Sequence, residues 1–174
     1  KTWLTIARDL ANYTFDHFFD DNNKMFYFTS NEDESLVSRS IEYRDNVIPA
    51  SNSIMAKNLF KLSHYFDNSH YSKTAMSMLN NVKPELLEYP SGYSNWFDLM
   101  LNYAQPFYEV AIVGKDAKEK ITELNKTYIP NKLIAGSLLE NRFNLDNTFI
   151  YVCVNKACKL PVSDVNDAIK LVKK

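Results

Sequence analysis

Apolar residues recur in steps of three and four from Trp3 to Tyr103, and that spacing gives way to β-branched runs after Pro106. This change of period limits the folds open to the chain more than its composition does. Trp3, Ala7, Leu10, Thr14 and Phe18 trace one face of a first helix. Met55, Leu59, Leu62 and Phe66 trace a second, and Tyr71, Ala75, Met78 and Val82 trace a third after the turn "DNSH". Two amphipathic helices joined so closely form an αα-hairpin. A further helix carries Trp96, Leu99, Met100 and Tyr103, entered through "PSGYS" and stopped by Pro106. Between the first helix and the hairpin, "DDNNK" reads as a turn and the aromatic "MFYFTS" as a short strand or ribbon.

Beyond Pro106, "FYEVAIVG", "DAKEKITELNKTY" and "KLIAG" follow the order β-α-β. "TFIYVCV" adds a strand and "VSDVNDAIKLVKK" a last helix capped by Asp164. The expected organisation is therefore residues 1–105 as helical hairpins and 106–174 as a small α/β extension packed with them as one unit. At 174 residues the chain makes one domain or a fragment of a larger one. With 20 basic and 21 acidic residues it has no electrostatic footprint for nucleic acid. No apolar run reaches the roughly 20 residues of a bilayer-spanning helix, so no membrane partner is expected. Cys153 and Cys158 are too few for a disulfide framework, and a reducing, cytoplasmic setting is expected, with a buried thiol on the strand and another in the loop. Their C-x4-C spacing matches half a zinc site, but no second pair follows, so neither metal nor cofactor is expected. His64, Asp67 and His70 read as a solvated turn.

The strand ending at Gly114 lacks the glycines of a nucleotide loop, and Asp116 puts a negative charge where a phosphate would sit. The stronger candidate is "EYRDNVIPASNS". Pro49 fixes its own φ and pushes Ile48 towards an extended conformation, so the chain enters the helix from a set direction. Around it lie Glu42, Asp45, Asn46, Ser51 and Asn52, more polar groups than one helix cap requires. Two readings stand open: these groups bond to local backbone, or some face a ligand. Trp96 reads either as an aromatic platform for a sugar ring or as core. Glu109, an acid among apolar neighbours in "FYEVAIV", needs a partner if it is buried.

These residues also carry a resemblance. "RDNVIPASNSIMAKNLFKL", "EVAIVG" and "YVCVNKACKLPV" together resemble the C-terminal portion of the thioredoxin-domain-containing family that includes spermatogenesis-associated protein 20. The family pattern Asp-Asn-x-x-Pro-Ser-Gly-Asn-Ser is met by Asp45, Asn46, Pro49, Asn52 and Ser53, with Ala50-Ser51 in place of Ser-Gly. The resemblance implies a mainly α fold: a partial (α/α)6 toroid of helical hairpins, like those of six-hairpin glycosidases, with a small C-terminal α/β segment. It implies a sugar-like small molecule as ligand, with Asp45 and Glu109 as catalytic carboxylates and Glu42, Asn46, Ser51, Asn52 and Trp96 as binding residues. The alternative is a non-enzymatic scaffold that keeps the fold. Either way, the rest of a parent chain or self-association is expected to cover exposed apolar faces.

Overall fold

The computed structural model describes residues 2–34, 38–136 and 147–172. The chain divides into two compact units, Lys1–Leu101 and Asn102–Lys174.

The first unit opens with α1 (Thr2–Phe18), which runs into a minimal antiparallel ribbon of β1 (Phe19–Asp20) and β2 (Met25–Phe26). The turn between the strands is stabilised by Asp20, whose carboxylate accepts from Asn22 N at 3.0 Å and from the Asn23 side chain at 2.5 Å. From Tyr27 to Ala50 the described residues form no helix. Then α2 (Ser51–Phe66) and α3 (Ser69–Val82) pack as an antiparallel hairpin. Two adjacent residues make its turn. Asp67 takes the left-handed conformation (φ 51°) that ends α2, and Asn68 caps α3 by accepting from His70 N and Tyr71 N. The expected stripe Tyr71, Ala75, Met78 and Val82 is buried throughout. Two short 3-10 turns, Lys83–Glu85 and Pro90–Tyr93, lead to α4 (Ser94–Ala104), whose Trp96 and Leu99 are fully buried.

Helix α1 departs from its expected orientation. Ala11 is its one buried residue, while Trp3 (82% exposed), Ile6, Leu10 and Tyr13 form a second apolar stripe open to solvent. The helix is thus apolar on two sides, a pattern of elements that pack against two neighbours.

The second unit contains a four-stranded sheet in the order β4-β3-β5-β6. Here β3 (Tyr108–Val113) and β4 (Lys132–Gly136) are parallel and joined through α5 (Ala117–Leu124), giving the β-α-β unit. Strand β5 (Phe149–Val154) is antiparallel to β3, and β6 (Ala157–Cys158) is antiparallel to β5. Val110 and Ile112 face the same way as their partners Val152 and Ile150. They form the core with Ala117 and Leu124 of α5 and with Val165, Ala168 and Val172 of α6 (Val165–Val172). Both helices therefore cover one face of the sheet. Asp164 caps α6, accepting from Asn166 N at 2.8 Å.

The expectation of a mainly α toroid is corrected. Among the described residues there are six α-helices and six strands in two sheets, a mixed α/β fold. The physical reason lies in the connections: α1 is followed by a β-ribbon and extended chain instead of an antiparallel helix, and α4 is followed by a sheet. Among the described residues only α2 and α3 form a helical hairpin.

Gly114 closes β3 with φ 138°, and a Cβ there would lie 2.4 Å from Thr148 Cα and 2.8 Å from Asn147 O. Both obstacles are backbone. Gly114→Ala is expected to lower the stability of the second unit by at least about 2 kcal/mol, read from its urea midpoint. An unchanged midpoint would contradict the account of this turn.

Candidate functional site

The entrance to α2 is built around one carboxylate. Asp45 is 7% exposed, and its Oδ1 accepts from Ala50 N at 3.0 Å and from Ser53 Oγ at 2.6 Å. Its Oδ2 accepts from Asn95 N at 2.8 Å, in the first turn of α4. A single anion therefore sits at the N-terminal ends of two helices, where free amides and the helix dipoles favour negative charge. Ala50, at the N-cap position of α2, has no side chain able to cap; Asp45 takes the Ala50 amide, and Glu42 O accepts from Asn52 N in the first turn at 3.3 Å. The backbone of Asp45 is held as well, since its N–H donates to Gly92 O at 2.8 Å.

Asn52 is the second anchor. It is fully buried; its Oδ1 accepts from Phe26 N at 2.8 Å, and its Nδ2 donates to Phe26 O and Glu42 O, each at 2.8 Å. The amide group pairs with Phe26 as a neighbouring strand would, fastening β2 to the start of α2. Ser51 Oγ donates to Glu42 O at 3.4 Å, and Asn46 Oδ1 accepts from Val47 N at 2.8 Å in a local turn. Trp96 is fully buried, with Nε1 donating to Tyr43 O at 2.7 Å. Of the two readings of Trp96, its burial fits the core.

The fold thus brings Asp45, Asn46, Ser51, Asn52, Trp96 and the Glu42 main chain together around one junction. Glu109 belongs to the second unit, on β3, where it stands opposite Cys153 and Leu133 on the sheet face turned away from α5 and α6. The cysteines also require correction. Cys153 and Cys158 are joined in a disulfide and are not the expected pair of thiols. Among the described residues no His, Cys, Asp and Glu cluster suited to a metal ion is found. No helix among them is long and apolar enough to cross a membrane.

One polar cluster had no signal in the sequence, because its members are about forty positions apart. Arg44 donates from Nη2 to Glu85 Oε2 at 2.6 Å and from Nε to Tyr93 OH at 3.0 Å, while Tyr43 OH donates to Glu85 Oε1 at 3.3 Å. Tyr93 OH also donates to Glu85 Oε2. The Tyr93 hydroxyl and the Arg44 guanidinium hold the Glu85 carboxyl below the ordinary glutamate range. Burial, reinforced by the bond to Glu85, pushes the Tyr93 phenol up.

A different kind of site lies beside α1. Leu4, Ala7, Leu10, Ala11 and Thr14 of α1 face Met55, Asn58, Lys61, Leu62 and Tyr65 of α2 across a groove of about 340 Å3. Leu10 belongs both to the groove and to the exposed stripe, so the two surfaces are continuous.

The fold and the junction define a class: a mixed α/β chain whose most distinctive polar motif fastens helices together. No protein-family profile matches it. The chain is similar to spermatogenesis-associated protein 20 of Homo sapiens, with 25% identity over 192 aligned positions covering 99% of this chain and 24% of the human protein. The mouse and rat proteins of that name are similar at 23% and 24% identity, with the same coverage. The chain spans about a quarter of the length of these curated relatives.

Two outcomes are expected. Asp45→Ala should cost about 3 kcal/mol by thermal or urea unfolding, because it leaves buried donors unpaired at two helix ends, whereas Asp45→Asn should cost about half as much. Equal and negligible losses would remove Asp45 from this structural role. For Glu85, the folded carboxyl titrates below its unfolded value, so its stabilisation is fully present above the ordinary glutamate range and fades as pH falls through the lower folded value. The melting-temperature gap between the natural chain and Glu85→Gln should accordingly close between about pH 7 and about pH 3. A gap independent of pH would rule this out.

Proposed function

We infer that this chain is a non-enzymatic binding scaffold within a longer, thioredoxin-domain-containing polypeptide, and that α1 is its docking element. The carrying observation is the two-sided apolar character of α1. Trp3, Ile6, Leu10 and Tyr13 face solvent in a row at helical spacing, and Leu10 continues into the groove against α2. An exposed apolar stripe joined to an apolar groove fits the nonpolar face of an amphipathic helix. The occupant we assign is a helix from the remainder of the parent polypeptide, because the chain covers 24% of the length of its curated relatives and a neighbour in cis has a high effective concentration. Lys61 at the groove edge favours an acidic rim on that helix.

Carbohydrate binding at Asp45 is the weaker reading. Both carboxylate oxygens are engaged by the fold, and Asn52 uses its amide on Phe26 and Glu42. A thermal-shift screen with monosaccharides and amino sugars separates the two readings, since a ligand at a hundred times its dissociation constant adds about 2.7 kcal/mol. The scaffold reading expects no shift with any of these sugars.

The direct test supplies the remainder of the parent polypeptide as a separate chain. Co-elution is expected, with binding weakened at least about tenfold by Trp3→Ser combined with Leu10→Glu, and unchanged by Tyr128→Ser at an exposed site in the other unit. Concentration-dependent self-association abolished by the same double substitution would replace the assigned occupant with a second copy. A chain that stays monomeric and binds nothing would overturn the reading.

A further inference from the structure

The hairpin at the edge of the second unit carries a cross-link that its backbone pairing does not need. Asn155 and Lys156 both take positive φ, 50° and 67°, the type I′ geometry that closes a two-residue turn. The register places Cys153 opposite Cys158 and Val154 opposite Ala157. Lys159 N donates to Val152 O at 3.0 Å, so by alternation the cysteines occupy the non-hydrogen-bonded position, where facing side chains come closest. Further along, Ile150 and Val162 exchange both backbone bonds, at 2.7 and 3.0 Å. Ile150 and Val152 are anchored in the core. Turn, ladder and core already close this ribbon, and a bridge across five residues of sequence removes little further freedom.

The two sulfurs differ in access. Cys153 is 7% exposed on β5, an inner strand, whereas Cys158 is exposed on β6 at the sheet edge. We propose that Cys153–Cys158 is a reversible thiol–disulfide site, reached by a dithiol reductant through Cys158. A thiolate of the dithiol attacks Cys158 Sγ, the S–S bond breaks, and Cys153 departs as a thiolate and takes up a proton. The second thiol of the reductant, as thiolate, then attacks its own sulfur in the mixed disulfide and releases Cys158, which is protonated in turn. Two electrons pass to the hairpin, which ends with two thiols, and the reductant ends as a disulfide. The reverse step uses a disulfide oxidant of the same class. This site is independent of the docking surface on α1.

The test uses the whole chain, equilibrated at set ratios of reduced to oxidised dithiothreitol, trapped with N-ethylmaleimide and weighed intact. A single transition from no adduct to two adducts is expected, with far-UV circular dichroism unchanged across it. In the single variants, free Cys158 in Cys153→Ser should be trapped at least about tenfold faster than free Cys153 in Cys158→Ser. The titration of the natural chain stands even if a variant misfolds. Two adducts at every ratio, loss of the dichroism signal on reduction, or equal trapping rates in folded variants would each overturn the proposal.

Discussion

A buried carboxylate shared by two helix ends organises the first unit. Taking Asp45 out of water is costly, and it is tolerated because two main-chain amides and a serine hydroxyl are aimed at it before any ligand arrives. The geometry depends on small neighbours and a fixed approach. Pro49 sets the chain direction into α2, Ala50 leaves its amide clear, and Ser53 brings a hydroxyl back towards the carboxylate. Because Asn95 is one of the donors, the direction of α4 is coupled to that of α2, and Trp96 follows into the core with its indole N–H on Tyr43 O. Asn52 extends the junction to β2 through Phe26. Three segments, at Phe26, Glu42 and Gly92 to Asn95, thus converge on a stretch of nine residues.

That convergence explains why the polar density of "DNVIPASNS" reads as a site when only the sequence is considered. A helix entrance rich in Asp, Asn and Ser has the same composition whether its groups await a ligand or are satisfied internally. The difference lies in the partners, and these come from far away: Asn95 N, Gly92 O and Phe26 N and O. Nothing in local spacing announces them. The Arg44, Glu85 and Tyr93 cluster is hidden for the same reason, since it forms only once the 3-10 turns have brought Glu85 and Tyr93 back beside the irregular stretch before α2.

Elements governed by local period were legible. The α2–α3 hairpin and the β3-α5-β4 unit appear where the apolar spacing places them, because their burial follows from helical and strand repeats alone. The expected ring of hairpins was a misreading, since it required each helix to find an antiparallel partner. The residues after α1 favour a ribbon and extended chain instead. The disulfide was legible in principle. Two residues between Val154 and Ala157 make the shortest hairpin turn, and cysteines just outside them must face one another. The signal lay in counting across the turn; counting along the chain made the pair look like half a metal site.

Helix α1 gives the remaining step, because its two stripes differ in how they are satisfied. The inner one is held near its C-terminal end, where Phe15 lies 5.2 Å from Phe26 and stacks on Tyr71 at 5.9 Å, and Tyr71 OH donates to Asn12. Phe26 is itself fixed by Asn52, so the Asp45–Asn52 junction reaches α1 through a continuous chain of contacts. From Leu4 to Thr14 the helix lines the groove against α2, with Trp3 and Leu10 largely uncovered. A helix anchored on one side and open on the other presents a surface of fixed direction at little cost in entropy. On the proposed docking role of α1, rigidity in the junction and exposure on the helix are two parts of one arrangement, in which the polar motif holds the apolar surface still.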